Sequence, residues 1–375
     1  MVLLFVSKAS SHRAAQVGIR GRDHGVENLA AIHAALIMRK QWNARDDTPD
    51  LHGKVALVTG ASGGVGLQIV GLLARRGAKV YLTSRTKSKA QGAKDAILNE
   101  FKDVEANAID FIAMDLTILK SIEAAAQALI NREEKLDILI NNASVSTDST
   151  ELAGEWEQHM AANLAGPFIL VNQLLPLLKN AAAEKNSDVR IVSISSTAQT
   201  AMLPADFKFQ FDTPTILSKP VTAYPWSWRY IMRHLFGFDV IRYSASKAAI
   251  VLFIQELQRR LDEQGISILA LSVHPGEVNT ESLRAINGTL VRTIARLSFL
   301  TPEQGAASPI FAATAKEVRQ NASDYKGKFL EPVGKISTPN PVANDVAQVK
   351  GLWENTTIQV NKKLASEGLP SLAAW

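Results

Sequence analysis

Tyr243 and Lys247 stand four residues apart in the run Tyr243-Ser-Ala-Ser-Lys247. On a helix that spacing places phenol and ammonium on one face, one turn apart. A free phenol titrates near ~10, too high for proton transfer at neutral pH, and a neighbouring ammonium lowers that value by favouring the phenolate. A tyrosine so placed protonates a carbonyl oxygen as hydride reaches the carbon, or deprotonates an alcohol in the reverse direction. The same five residues also read simply as the start of an amphipathic helix.

A hydride must come from a carrier, and the chain holds a candidate cradle. Thr59-Gly60-Ala61-Ser62-Gly63-Gly64-Val65-Gly66 follows a short apolar run and opens a helical one. Glycines there let the backbone turn tightly and approach a pyrophosphate, and a helix N-terminus offers free N–H groups to the anion. An ordinary glycine turn is the plainer reading. About 20 residues on, Thr83-Ser84-Arg85 ends the second apolar run. Asp or Glu at that place would suit the ribose 2′-hydroxyl of NAD, whereas an arginine accommodates a 2′-phosphate. Arg85, backed by Lys87 and Lys89, therefore favours NADP(H) over a merely solvated basic helix start.

The elements that must carry these residues follow from periodicity. Short β-branched runs alternate with helical patterns of 10–15 residues, which argues a doubly wound parallel sheet of α/β class. Strands are expected at Lys54–Thr59, Lys79–Thr83, Ala108–Met114, Leu136–Ile140, Arg190–Ile194 and Ser267–Val273. Helices are expected at Val65–Arg76, Ser88–Phe101, Ile118–Arg132, Glu155–Leu178 and Tyr243–Gln264. The stretch Gln158–Leu178 is uncharged and long enough for a membrane span, but Asn163, Pro167, Asn172, Gln173 and Pro176 interrupt it, so a buried globular helix is expected. Residues 197–242 break the rhythm with four prolines and nine aromatic residues between Phe207 and Phe238, and read as an insertion. The organisation is thus an extension (1–50), one domain (51–335) carrying the insertion, and a tail (336–375).

The 375 residues contain no cysteine, which excludes a disulfide scaffold, a thiolate metal site and a cysteine nucleophile. The seven histidines show no metal-ligand spacing, so no metal is expected. A net charge of +5 spread along the chain gives no nucleic-acid footprint. The first 25 residues carry Lys8, Arg13, Arg20 and Arg22 with no acid before Asp23. A mitochondrial transit peptide is one reading of that start, and a cytoplasmic protein with a peripheral extension is the expected one.

Taken together, Thr59–Gly66, Asn141-Asn142-Ala143, Asn163, Ser195-Ser196, Tyr243–Lys247 and Pro275-Gly276 occur in order, each at its expected element. This pattern resembles the short-chain dehydrogenase/reductase family over roughly Leu51 to Pro332. The Tyr325–Lys335 stretch and a tail with Leu352-Trp353-Glu354 look like the longer, retinol-dehydrogenase-like members, fungal ones above all. The resemblance implies a Rossmann-type fold and a set of roles. Tyr243 would be the acid/base, and Lys247 would lower its pKa and hold the nicotinamide ribose. Ser196 would bind the substrate oxygen, and Asn163 would anchor a water relay. Gly60, Ser62, Gly64, Val65 and Gly66 would cradle the pyrophosphate, with Arg85 on the 2′-phosphate. Asp115 and Leu116 look like the adenine contact, Asn142 and Ala143 would line the cleft, and Pro275, Gly276, Val278 and Thr280 would face the nicotinamide. Each has a plainer reading: Asp115 as a helix N-cap, Asn163 as a helix kink or cap, Ser195-Ser196 as a strand end and Pro275-Gly276 as a turn.

Two departures accompany the resemblance. Ser144 stands where the family usually has glycine, and the insertion separates Ser196 from Tyr243 by 47 residues. That insertion emerges beside the reacting centre. Its aromatic content suits a lid over a lipophilic substrate, a membrane-surface anchor, or added core and subunit contact. The expected function is an NADP(H)-dependent oxidoreductase interconverting a carbonyl and an alcohol on a lipophilic, secondary-metabolite-like compound. A non-redox catalyst on the same scaffold and a nucleotide-sensing protein without turnover stand beside it. The family often forms dimers or tetramers through the helices beginning near Glu155 and Tyr243, which implies a homo-oligomer.

Overall fold

In the computed structural model, described residues are 42–204, 206–221, 225, 227, 236–279 and 299–374. The chain starts its fold with β1 (Val55–Val58), whose four apolar residues are all buried. Gly63 then caps α1 (Gly64–Arg75), which presents Ile69, Val70, Leu72 and Leu73 to the sheet. The alternation continues with β2 (Lys79–Ser84), α2 (Lys87–Glu100), β3 (Ile109–Ala113), α3 (Leu119–Ile130) and β4 (Ile138–Asn141). A small antiparallel hairpin, β5 (Leu152–Ala153) and β6 (Trp156–Glu157), leads into α4 (Gln158–Ala183). After β7 (Val189–Ile194) come α5 (Val240–Glu263), β8 (Ile268–Val273) and α6 (Pro302–Thr314). Two short strands, β9 (Phe329–Glu331) and β10 (Lys335–Ser337), precede the last helix, α7 (Val346–Ser366).

The main sheet runs β10-β9-β8-β7-β4-β1-β2-β3, parallel throughout except for the β9–β10 pair. Strand order reverses between β1 and β4, so a crevice opens there at the C-terminal strand ends, where open α/β sheets bind ligands. This is the doubly wound α/β architecture expected from the alternating pattern. Asn43–Trp375 forms one compact unit. The extension, with the basic start of the chain, lies outside the described residues up to residue 41.

Two helices differ instructively from their sequence expectations. The helix expected from Glu155 begins at Gln158, because Glu155 and its neighbours are used by the hairpin and the Glu157 carboxylate caps the helix by accepting from Met160 N at 3.0 Å. It then runs on to Ala183 and contains a π turn at Ala161–Ala165. Long and apolar enough to cross a membrane, α4 is instead a core helix, with 89% of its apolar window buried. The helix expected from Tyr243 begins three residues earlier, because Asp239 caps it by accepting from Arg242 N at 3.0 Å. Tyr243 therefore sits inside the first turn.

The tail is folded onto the domain. Trp353 of α7 stacks on Phe253 of α5 (centroids 5.9 Å) and meets Phe168 of α4 edge-on at 4.8 Å. The apolar run Ala248–Ile254 of α5 is thereby buried within one protomer. The described part of the insertion divides in two. Phe209 and Phe211 stack at 5.3 Å within the core, and Phe211 N donates to Gln348 Oε1 of α7 at 2.5 Å. Phe238, at the far end, turns to Tyr243. Tyr224, Trp226, Trp228 and Tyr230 lie outside the described residues.

Candidate active site

The glycine turn links the ends of β1 and α1, and the end of β4 holds it. Asn142 Nδ2 donates to Thr59 O (2.9 Å) and Gly60 O (3.1 Å), and Ala143 N donates to Thr59 Oγ1 at 3.0 Å. Two positions of this turn have no room for a side chain. A Cβ on Gly60, whose φ is +62°, would lie 2.7 Å from Ala143 Cα; one on Gly66 would lie 2.5 Å from Asn142 Nδ2. The first N–H groups of α1 have no side-chain cap. A turn held tight at Gly60 and Gly66 that ends in uncapped helical N–H groups fits the pyrophosphate of a dinucleotide. Ser62 and Gly63 are exposed on its rim. Val65 and Val278 flank Gly305 of α6, which brings the turn next to the loop after β8.

The adjoining strand ends carry the other expected residues. Arg85 follows β2 and is exposed together with Lys87 and Lys89. Asp115 follows β3, and its Oδ1 accepts from Thr117 N (2.9 Å) and Thr117 Oγ1 (2.7 Å). It is not the N-cap of α3, which starts four residues later with Ile118 in that position. Leu116 is buried, and its carbonyl oxygen would be 2.6 Å from a Cβ on Gly166. Pro275, Gly276 and Val278 form the turn beyond β8. Thr280 lies outside the described residues.

On the other side of the crevice, Ser196 beyond β7 faces Tyr243 of α5, near enough for its hydroxyl to act on the phenol. Ser196 Oγ also accepts from Ala198 N at 3.1 Å. Ser195 is structural: it donates to Lys247 O at 2.7 Å and ties β7 to α5. Phe238 meets the Tyr243 ring edge-to-face at 5.3 Å, and His159 meets it at 6.2 Å. Lys247 lies over the ring, with Nζ 5.4 Å from its centroid and donating to Ile194 O at 2.9 Å.

Burial dominates the electrostatics. It raises the Tyr243 phenol well above its ordinary value, the Glu277 carboxylate raises it further, and the Ser196 hydrogen bond works in the opposite direction. Burial likewise brings the Lys247 ammonium down to about 7. The lowering of Tyr243 expected from Lys247 does not appear: burial and Glu277 raise the phenol, and only Ser196 lowers it. The phenol is thus protonated, the form that delivers a proton to an oxygen held between Ser196 and Tyr243.

Asn163 sits in the π turn of α4, where its amide is fully engaged. Oδ1 accepts from Val145 N at 2.7 Å, and Nδ2 reaches Val145 O (3.1 Å) and Ser246 Oγ (2.9 Å). It clamps the loop after β4 to the helix that bears Tyr243.

Sequence reasoning missed a buried polar network behind Tyr243. His159 Nδ1 donates to Glu157 Oε1 at 2.7 Å, and its Nε2 accepts from Thr147 N at 3.2 Å. Arg242 bridges Glu157 (3.2 Å) and Asp239 (2.8 Å), while Asp239 N donates to Thr147 O at 3.0 Å. Burial pushes the Glu157 carboxyl up, but His159 and Arg242 together carry it below the usual range. The network pins Phe238, Asp239 and the start of α5. Its one sequence signal was His159 standing one helical turn before Asn163.

The comparisons with known proteins agree with this geometry. The family model for short chain dehydrogenases matches residues 54–206. A short chain dehydrogenase/reductase of Colletotrichum higginsianum, dpchH, is 37% identical over 329 residues, 88% of this chain and 80% of that protein. This chain is a short-chain dehydrogenase/reductase. The longer, fungal likeness read from the tail agrees with that relative. Among solved structures, a Mycobacterium paratuberculosis protein superposes with a TM-score of 0.62 at 25% identity, covering 86% of this chain and 98% of its own. An NADPH-bound carbonyl reductase from chicken fatty liver shares the fold, with a TM-score of 0.55 at 23% identity over 80% of this chain and 99% of its own. This short-chain dehydrogenase/reductase therefore has the family's Rossmann-like sheet, with Tyr243, Lys247 and Ser196 gathered at its C-terminal edge.

Proposed function

We propose that this short-chain dehydrogenase/reductase is an NADP(H)-dependent oxidoreductase. It interconverts a carbonyl and an alcohol on a lipophilic compound of the secondary-metabolite kind. The observation that carries the reading is the gathering of Tyr243, Lys247 and Ser196 beside a glycine turn with no room for a Cβ at Gly60 or Gly66. Gly60, Ser62, Gly64, Val65 and Gly66 hold the pyrophosphate. Asn142, Ala143, Asp115 and Leu116 line the cleft, and Pro275, Gly276 and Val278 face the nicotinamide. The bound cofactor supplies the hydride. Ser196 and Tyr243 bind the substrate oxygen, and Tyr243 gives it the proton. Lys247 donates to the ribose and, once charged, eases loss of the tyrosine proton. Asn163 fixes the loop and helix that frame the site.

Arg85 supports NADPH over NADH, since a basic residue at the end of β2 suits a 2′-phosphate. Phe238 against Tyr243 supports an apolar substrate wall. With Ala248–Ile254 already covered by α4 and α7 in one protomer, a homo-oligomer would be built on another surface.

The test is NADPH oxidation by the purified protein with a panel of lipophilic ketones, aldehydes and quinones, run beside Tyr243→Phe. Turnover should fall ~10²–10⁴-fold in the variant with NADPH binding nearly intact, because only the proton donor is lost. A variant that keeps wild-type turnover refutes the assignment. NADPH bound but unconsumed, with no oxidation of alcohols either, would move the reading to a non-redox or sensing protein.

A further inference from the structure

Glu277 follows the Pro275-Gly276 turn, and its backbone is fixed by pairing. Leu300 N donates to Glu277 O at 2.7 Å, and Asn279 N donates to Leu300 O at 3.0 Å. Its side chain therefore leaves from a fixed point at the C-terminal edge of the sheet. Thr197 Oγ1 donates to Glu277 Oε1 at 3.3 Å. Thr197 directly follows Ser196, whose hydroxyl acts on the Tyr243 phenol. The carboxyl is near enough to Tyr243 for its charge to raise the phenol.

The charges around Glu277 are unbalanced. His274 Nε2 lies 3.4 Å from Thr197 Oγ1 and 3.6 Å from Glu277 Oε1. With Thr197 donating to Glu277, its oxygen accepts from His274 Nε2–H. His274 Nδ1 is then a bare acceptor, and it has no hydrogen-bond partner. The ring is neutral, because burial and the nearby Lys247 ammonium bring it down to about 4. Lys247 itself is turned to Ile194 O. Among the described residues no lysine or arginine pairs with Glu277, whose side chain is 63% exposed on its open side. An ionised carboxylate has about four acceptor positions, and Thr197 fills one. The exposed side offers the rest.

We propose that Glu277 determines specificity: it takes a hydroxyl group carried on the carbon next to the reacting carbonyl and turns away substrates with a carboxylate there. This rests on the carbonyl–alcohol reading of the site. A hydroxyl gains a charge-assisted hydrogen bond, whereas a second carboxylate meets a like charge with no lysine or arginine paired to it among the described residues. The protein packed around the other sides of Glu277 already pushes its carboxyl up against the opposing Thr197 hydrogen bond, and a second negative charge would add to that.

The test uses acetophenone, 2-hydroxyacetophenone and phenylglyoxylate, which share a phenyl ketone and differ in carrying methyl, hydroxymethyl or carboxylate. NADPH oxidation is measured for wild type, Glu277→Gln and Glu277→Leu. Comparing variant with wild type on each ketone cancels intrinsic reactivity. The hydroxymethyl-to-methyl ratio of kcat/KM should fall ~tenfold or more in Glu277→Leu and less in Glu277→Gln, which keeps an acceptor. The carboxylate-to-methyl ratio should rise ~tenfold in both variants. If wild type reduces none of the three, their inhibition constants against a carbonyl that it does reduce give the same ratios. Unchanged ratios overturn the proposal. So does an NADPH affinity that falls by the same factor as kcat/KM, which would assign Glu277 to the cofactor. Failure of the parent reading shows separately, as a wild type that binds NADPH but reduces none of the carbonyls offered and oxidises no alcohol.

Discussion

Replacing Lys247 with methionine should stabilise the cofactor-free protein while disabling it. Lys247 is 1% exposed, and burial carries its ammonium from 10.5 to about 7. At pH 7 the unfolded lysine is fully charged and the folded one about half charged. At 1.36 kcal/mol per tenfold change in proton affinity, burial of this group costs the fold about 4 kcal/mol at pH 7. The folded value lies below the unfolded one, so the unfolded state binds more protons between about 7 and 10.5. The cost is therefore full below about 7 and fades as pH rises toward 10.5. Methionine keeps most of the apolar stem and loses the hydrogen bond to Ile194 O, worth about 1 kcal/mol. Lys247→Met should gain about 3 kcal/mol in urea unfolding at pH 7 and under about 1 kcal/mol at pH 9.5. Turnover should fall at least ~tenfold. A variant less stable than wild type at pH 7, or a gain equal at both pH values, would refute the electrostatic account.

Other substitutions probe the remaining parts. Arg85→Asp should weaken NADPH at least ~tenfold more than NADH in fluorescence titrations, since a charge-assisted phosphate contact is worth ~1.5–3 kcal/mol. Equal weakening would dissociate Arg85 from the 2′-phosphate. Gly66→Ala puts a Cβ within 2.9 Å of Gly60 O as well as against Asn142, so it should cost about 1–3 kcal/mol in stability and abolish tight NADPH binding. Wild-type affinity in that variant would show that the turn is not the cradle. Trp353→Ala should cost about 3–5 kcal/mol in urea unfolding, because the indole is buried between Phe168, Phe253 and Arg260. A loss under about 1 kcal/mol would make α7 a mere appendage.

Much of this protein was written locally. The strand–glycine turn–helix unit at Lys54–Arg76 depends on adjacent residues, since β-branched runs, left-handed glycines and apolar spacing each act over a few positions. Hence β1 to β4, β7, β8 and their helices appear close to where the periodicity places them, and Tyr243 and Lys247 share a helix face as their spacing requires. Element ends were less legible, because caps choose them: Asp239 starts α5 before Tyr243, and Glu157 starts α4 after Trp156.

Tertiary structure decided what distant segments do to one another. Nothing near Trp353 in sequence says that it will cover Phe253, so the tail that reads as an appendage becomes part of the core. The Glu157–His159–Arg242–Asp239 network joins residues more than 80 positions apart, and Glu277 reaches Thr197 across 80. Spacing rules fail at such separations because the chain between them sets no geometry. The state of Tyr243 was likewise decided in three dimensions: the sequence placed an ammonium one turn away, but burial, which only packing creates, has the larger effect on the phenol.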